Sequence, residues 1–170
     1  IAIVCEPELI IADEPTTALD VTIQEEILAL ISELVLERNM ALILITHDLG
    51  VVAENTDQML VMYAGRIVER GPTQKVFRHL AHPYTRGLFA SIPDSEKFLN
   101  EPSRQLKYSR KKRLSTIPGR VPEFWERSKG CSFADRCSRT QGKCSSLVPD
   151  EIQFDTGHYT TCFFPYEQNE

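Results

Sequence analysis

The sequence predicts an α/β fold followed by an irregular, cysteine-rich tail, and three observations carry that reading. Two short apolar runs, residues 9–12 (LIIA) and 41–46 (ALILIT), flank a segment whose apolar residues recur at helical spacing. Both runs end in polar side chains. Four of the five cysteines fall between residues 131 and 162. Short apolar runs bounded by turn-forming residues suit strands buried on both faces of a parallel sheet, and strand, helix, strand is the crossover that joins parallel neighbours.

Composition sets the outer limits. The 170 residues are 42% hydrophobic and 25% charged, enough for one modest core and an appendage. No apolar run approaches the ~20 residues that span a bilayer, and the start lacks the basic, apolar and small-residue succession of a secretory signal. The chain therefore reads as cytoplasmic, where clustered thiols are metal ligands more often than disulfides. Net charge is -5, but residues 97–130 hold ten Lys or Arg against three Glu, a balance of +7 that leaves -12 for the rest. Such asymmetry predicts separate modules. The opening, IAIVCEPEL, has no initiator Met and its apolar residues need a covering partner, so the sequence is expected to be a fragment that starts partway through a helix. Cys5, in this apolar context, is expected to be buried and inert.

The elements follow in order. Pro7 and Pro15 bound the first strand. Asp20 can cap a helix in which Ile23, Ile27, Leu30, Ile31 and Leu34 form a stripe up to about Asn39. The second strand, 41–46, follows. Residues 58–63 and 66–70 read as a hairpin around Ala64 and Gly65. Pro72 opens a helix with Val76, Phe77 and Leu80 on one face, and a second helix runs from about Pro83 to Ser91. His79 and His82 are expected at the surface or in packing. Periodicity fades from 94 to 130, which reads as a linker or wrapping segment. Its basic run at 110–113 could meet nucleic acid or anionic lipid; without interleaved aromatics a solvated face, and no nucleic-acid partner, is the preferred reading. Phe124 and Trp125 are expected to anchor this segment by packing.

Parallel strands deliver their carboxyl ends to one edge, where ligands of open α/β sheets bind. That edge would hold Asp13 and Glu14 from the first strand and Thr46, His47 and Asp48 from the second. Asp13 would hold Mg²⁺, Glu14 would polarise a water for attack on a phosphoryl group, and His47 would position or sense that group. The plain alternative is a polar strand end and a capping histidine.

The strings LIIADEPTTALD and ILITHDL, in this order and spacing, resemble the ATP-binding-cassette ATPases. The resemblance implies a P-loop NTPase fold, of which this chain would be the C-terminal half. Residues 9–13 match the magnesium-binding strand, Glu14 the adjoining glutamate, residues 17–20 the dimer-facing loop with Asp20 in it, and His47 the switch histidine. ATP and Mg would be the cofactors. Missing from the sequence are GxxxxGK[ST], whose amides and lysine cradle the β and γ phosphates, and the LSGGQ signature, so the chain by itself is expected to be inactive. The stretches AHPYTRGLFASIP (81–93) and IPGRVP (117–122) resemble the subunits that energise import of dipeptides and oligopeptides, a group that includes nickel and glutathione importers. This implies a second ATPase subunit, transmembrane permease subunits and a substrate-binding protein as partners, with the chain peripheral on the cytoplasmic membrane face. The expected regions are 1–92 for the ATPase part, 93–130 for the basic linker and 131–170 for the tail.

Cys131, Cys137, Cys144 and Cys162 are separated by five, six and seventeen residues. Structural zinc usually shows pairs two to four residues apart, disulfides need oxidising conditions, and a cluster tolerates wider, loop-borne spacing. GCSFADRC (130–137) resembles the carboxyl-terminal extension of the peptide-importer subunits, some of which hold a [4Fe-4S] cluster, and the four cysteines are its candidate ligands; SKG stands where that pattern often has a proline before the glycine. Zinc and oxidised thiols stay open as alternatives. His158, four residues before Cys162, is expected to be a bystander. The rival function is a non-transport cassette protein of DNA repair or translation, with a zinc-binding tail and a basic run on nucleic acid.

Overall fold

A computed structural model of the chain describes residues 3–92, 116–126 and 129–167. The chain divides into two compact units, Ile1–Thr56 and Asp57–Glu170. The basic run 110–113 and most of the 93–130 linker lie outside the described residues.

The first unit is β1 (Leu9–Asp13), α1 (Val21–Glu37), β2 (Ala41–Ile45) and α2 (Leu49–Asn55). β1 and β2 pair in parallel from Leu9 opposite Ala41 to Asp13 opposite Ile45. α1 starts where expected, with the Asp20 side chain accepting from the Ile23 amide at 3.0 Å. The short α2 was not expected; Asp48 caps it by accepting from Gly50 and Val51 at 2.8 and 3.3 Å. Burial on both faces of the strands is a correction. Ile10, Ala12, Leu42 and Leu44 are half-buried, whereas Leu9, Ile11, Ile43 and Ile45 remain 44–61% exposed. A two-stranded sheet carried by a unit of this size is shielded on one face only. Cys5 is exposed as well, beside a Val4 that is itself 76% exposed.

The second unit is built on an antiparallel sheet of order β3-β4-β6-β5: β3 (Gln58–Tyr63), β4 (Arg66–Pro72), β5 (Ile152–Asp155) and β6 (His158–Thr160). Ala64 and Gly65, both at positive φ (47° and 75°), form the two-residue turn that matches strand twist in a hairpin. Alternation along β3 sends Met59, Val61 and Tyr63 inward. α3 (Thr73–Arg78), α4 (Pro83–Ala90) and α5 (Gly142–Ser146) complete the unit, and Val76, Phe77 and Phe89 fill its core. The tail thus shares a sheet with the hairpin: Glu69 pairs with Thr160 and Arg70 with Tyr159.

One buried carboxylate organises the middle of this unit. Glu69 is 1% exposed and accepts from the amides of Ala81 and His82 at 2.8 and 3.0 Å and from Nε2 of His158 at 2.8 Å. A buried charge is tolerable only with such partners. The 117–122 segment is held from two sides. The Arg136 guanidinium donates to the carbonyls of Ile117 and Pro118 at 3.2 and 2.7 Å, and the Ile117 side chain occupies the space a Cβ on Gly87 would fill. Trp125 does not anchor it: this side chain is 80% exposed. The side chain of Phe124 lies outside what is described.

Candidate functional site

In the first unit the loops after β1 and β2 leave the same sheet edge, as the parallel register requires. Asp13 closes β1 opposite Ile45 and is exposed. The Glu14 amide donates to the Ile45 carbonyl at 2.8 Å, which carries the parallel pairing one residue past the strand. Glu14 itself has φ of +44°, a left-handed conformation that costs a non-glycine residue energy and turns the chain sharply into the loop.

This turn brings the two strand ends together. Oε1 of Glu14 lies 3.0 Å from Nδ1 of His47, and Oε2 accepts from the Thr17 hydroxyl at 2.8 Å. The Thr17 hydroxyl, then the His47 ring, hold the Glu14 carboxyl below its ordinary value. The group is therefore ionised at neutral pH, and an ionised carboxylate accepts only, so Nδ1 of His47 carries the proton. Each Glu14 oxygen keeps acceptor capacity for a water. Thr46 braces the next residue, its hydroxyl accepting from the Asp48 amide at 3.1 Å. Glu14 and His47 meet directly; Asp13 is beside them in sequence, and Asp20 sits at the far end of the loop as the cap of α1.

The second candidate site lies wholly in the second unit. Cys131, Cys137, Cys144 and Cys162 line one small cavity with His82, Phe133 and Phe163. No disulfide joins the cysteines among the described residues. Burial, the leading cause, raises the thiols of Cys131 and Cys137 and pushes Cys162 up to about 11. The amides of Arg139 and Phe164 donate to the sulfurs of Cys137 and Cys162, each at 3.4 Å, and Phe133 donates to Cys131. Amides two residues on from these cysteines oppose the effect of burial without overcoming it. Gly130 makes the loop possible: a Cβ there would sit 2.3 Å from the Cys144 carbonyl oxygen. Among the described residues no three His, Cys, Asp or Glu side chains converge closely enough for a single metal ion. What the four cysteines offer in chemistry is a set of soft sulfur donors bordering one cavity.

His158 does not line the cavity and is spent on Glu69. His82, expected at the surface or in packing, is 1% exposed, lines the cysteine cavity and caps α4, Nδ1 accepting from the Tyr84 amide at 3.0 Å. Burial lowers its pKa to about 4, so the ring is neutral at physiological pH.

Residues 68–144 match the family described as "Oligopeptide/dipeptide transporter, C-terminal region". A Sinorhizobium fredii protein named as a peptide ABC transporter ATP-binding protein is 47% identical over 162 residues, which are 95% of this chain and 45% of that protein. In sequence, the chain is similar to peptide ABC transporter ATP-binding proteins. A peptide import ATP-binding protein of Brucella ovis is 47% identical over 161 residues, 95% of this chain and 46% of the relative. A second Brucella relative so named, from Brucella abortus, is 46% identical over 161 residues. The chain spans about half the length of the curated relatives it matches. Among the described residues no helix is long and apolar enough to cross a membrane.

Proposed function

We propose that the chain supplies the hydrolytic edge of an ATPase subunit that energises peptide import. The observation that carries this is the 3.0 Å approach of Glu14 to His47 across the ends of two adjacent parallel strands. Glu14, ionised and exposed, is suited to orient and deprotonate a water attacking the terminal phosphate. His47 donates from Nδ1 to that carboxylate on one side and, when Nε2 also carries a proton, can donate it to a phosphoryl oxygen on the other. Asp13 would hold Mg²⁺, directly or through water, and the loop from Thr17 to Asp20 would face a second ATPase subunit. Residues 1–92 would belong to the ATPase domain, a P-loop fold, with 93–130 as linker and 131–170 as its extension. Permease subunits and a substrate-binding protein would complete the importer, and the subunit would sit at the cytoplasmic face of the membrane. The likeness to peptide ABC transporter ATP-binding proteins and the order of the motifs support this assembly.

The 170-residue chain has no phosphate-cradling GxxxxGK[ST] loop, so it should show no Mg-dependent ATP turnover. Joined to a segment bearing that loop, the subunit should turn ATP over, and Glu14→Gln should lower kcat at least 100-fold while ATP binding persists, the scale of a lost general base. Turnover by the 170-residue chain alone, or an unaffected Glu14→Gln subunit, would refute the assignment.

The four tail cysteines are the proposed ligands of an iron-sulfur cluster, supported by their shared cavity and the amides aimed at their sulfurs. When bound, such a group supplies cross-linking of loops too small to build a core, with a capacity for one-electron transfer. Iron, sulfide and zinc analysis after anaerobic purification tests it; one zinc per chain would end the proposal.

A further inference from the structure

We infer that residues 117–122 act as a strap across two walls of the cysteine cavity, so that the seating of this segment governs how readily a reagent from solvent reaches the four thiols. The inference goes beyond the proposed function and does not depend on what the thiols hold. One wall is the start of α4, where His82 and Pro83 line the cavity. The other is the turn at Ala134–Arg136: Phe133 and Ala134 line the cavity there, and Cys137 closes the turn. Rings join the two walls, with Phe133 packed on Tyr84 of α4 at 5.4 Å between centroids and on Tyr63 of β3 at 5.1 Å.

Ile117 touches both walls. Its side chain fills the notch that Gly87 leaves on α4, where a Cβ would come within 2.8 Å of it, and its carbonyl accepts from the Arg136 guanidinium at 3.2 Å. The Pro118 carbonyl accepts from the same guanidinium at 2.7 Å, and Gly119, at φ of +75°, turns the chain beside the Arg136 stem. The guanidinium also donates to the Tyr63 hydroxyl at 3.3 Å. A charged planar fork shared between two carbonyls is a strong and directional grip. It is held out by the residue next to Cys137. Release of the segment would therefore loosen α4 from the turn where both border the thiols, a local opening and not an unfolding of the unit. Among the described residues, those lining the cavity include neither Ile117 nor Gly87, so a change at either reaches the thiols through the walls.

The test follows N-ethylmaleimide labelling of the purified, reduced chain, resolved by residue with mass spectrometry, in the unmodified protein, Ile117→Ala and Gly87→Ala. The first substitution empties the notch and the second fills it from the helix side. Each should label Cys131, Cys137, Cys144 and Cys162 at least about fivefold faster, the factor for the mildest cost of such substitutions. Cys5, exposed in the first unit, should label at an unchanged rate. A strap that opens locally exposes little surface, so the faster rates should change little in dilute urea, whereas labelling that waits on unfolding of the whole unit climbs steeply with it. Unchanged labelling of the four thiols in the folded variants, or acceleration that depends steeply on urea, overturns the inference. Should either variant fail to fold by circular dichroism, the other decides alone.

Discussion

Arg70 meets Glu151 through two short hydrogen bonds, 2.7 and 2.6 Å, with its guanidinium also 4.1 Å above the Tyr159 ring. Both side chains are more than a third exposed, so solvent screens the pair and its contribution is small despite the bidentate geometry. The Arg70 hydrogen bonds hold the Glu151 carboxyl below its ordinary 4.5. The unfolded chain then binds the proton more readily than the folded one, so this contribution is complete above the unfolded value and disappears as pH falls through the folded one. Glu151→Gln is expected to lower stability by up to ~1 kcal/mol at neutral pH, with the gap closing in acid and shrinking in molar salt, as followed by urea denaturation. Glu151 was invisible in the sequence for the same reason as Glu69 and His82. An isolated acid or histidine says nothing of partners that are tens of residues away, whereas Asp13, Glu14 and His47 stood out because strand ends and motif order name them together.

At the scale of elements, Gly87 and Ile117 show how α4 receives the segment at 117–122. A Cβ on Gly87 would meet Ile117 carbons at 2.8 and 2.9 Å. Gly87→Ala is therefore expected to cost about 1 kcal/mol, the lower end of overpacking. With Ile117→Ala in place the clash is gone, and the same substitution should stabilise by about 0.5–1 kcal/mol, the helix preference for alanine over glycine. A double-mutant cycle by thermal or urea unfolding checks the reversal of sign. α1, α3, α4 and the hairpin were legible because each carries its own signal: apolar period, capping aspartate or proline, and a two-residue turn. The short α2 and α5 were not, nor were β5 and β6, strands of four and three residues in which β6 is placed by pairing with β4, more than eighty residues earlier, and β5 by pairing with β6.

For the whole molecule, the two units differ in how well they enclose apolar side chains. In the second, Met59, Val61 and Tyr63 are 2–7% exposed, while in the first Ile11 and Ile43 stay 61% and 46% exposed. Hydrogen exchange on the 170-residue chain should show β3 and β4 amides protected well beyond those of β1 and β2. Equal protection would mean that the open sheet face is covered in solution. The sequence marks a change of composition near residue 93, but composition does not record which strands share a sheet, and the tail returns to the hairpin through β6.

Glu69 precedes its ring partner, His158, by 89 positions. Synthesis runs from the amino end, so on the ribosome this carboxylate emerges long before the imidazole that completes its surroundings, and it stays hydrated meanwhile. The surroundings of Glu69 are complete only once the chain has been made through His158. A premature stop codon between Glu69 and His158 would leave this carboxyl without its ring partner, and cellular proteases would meet the product as an unfinished chain.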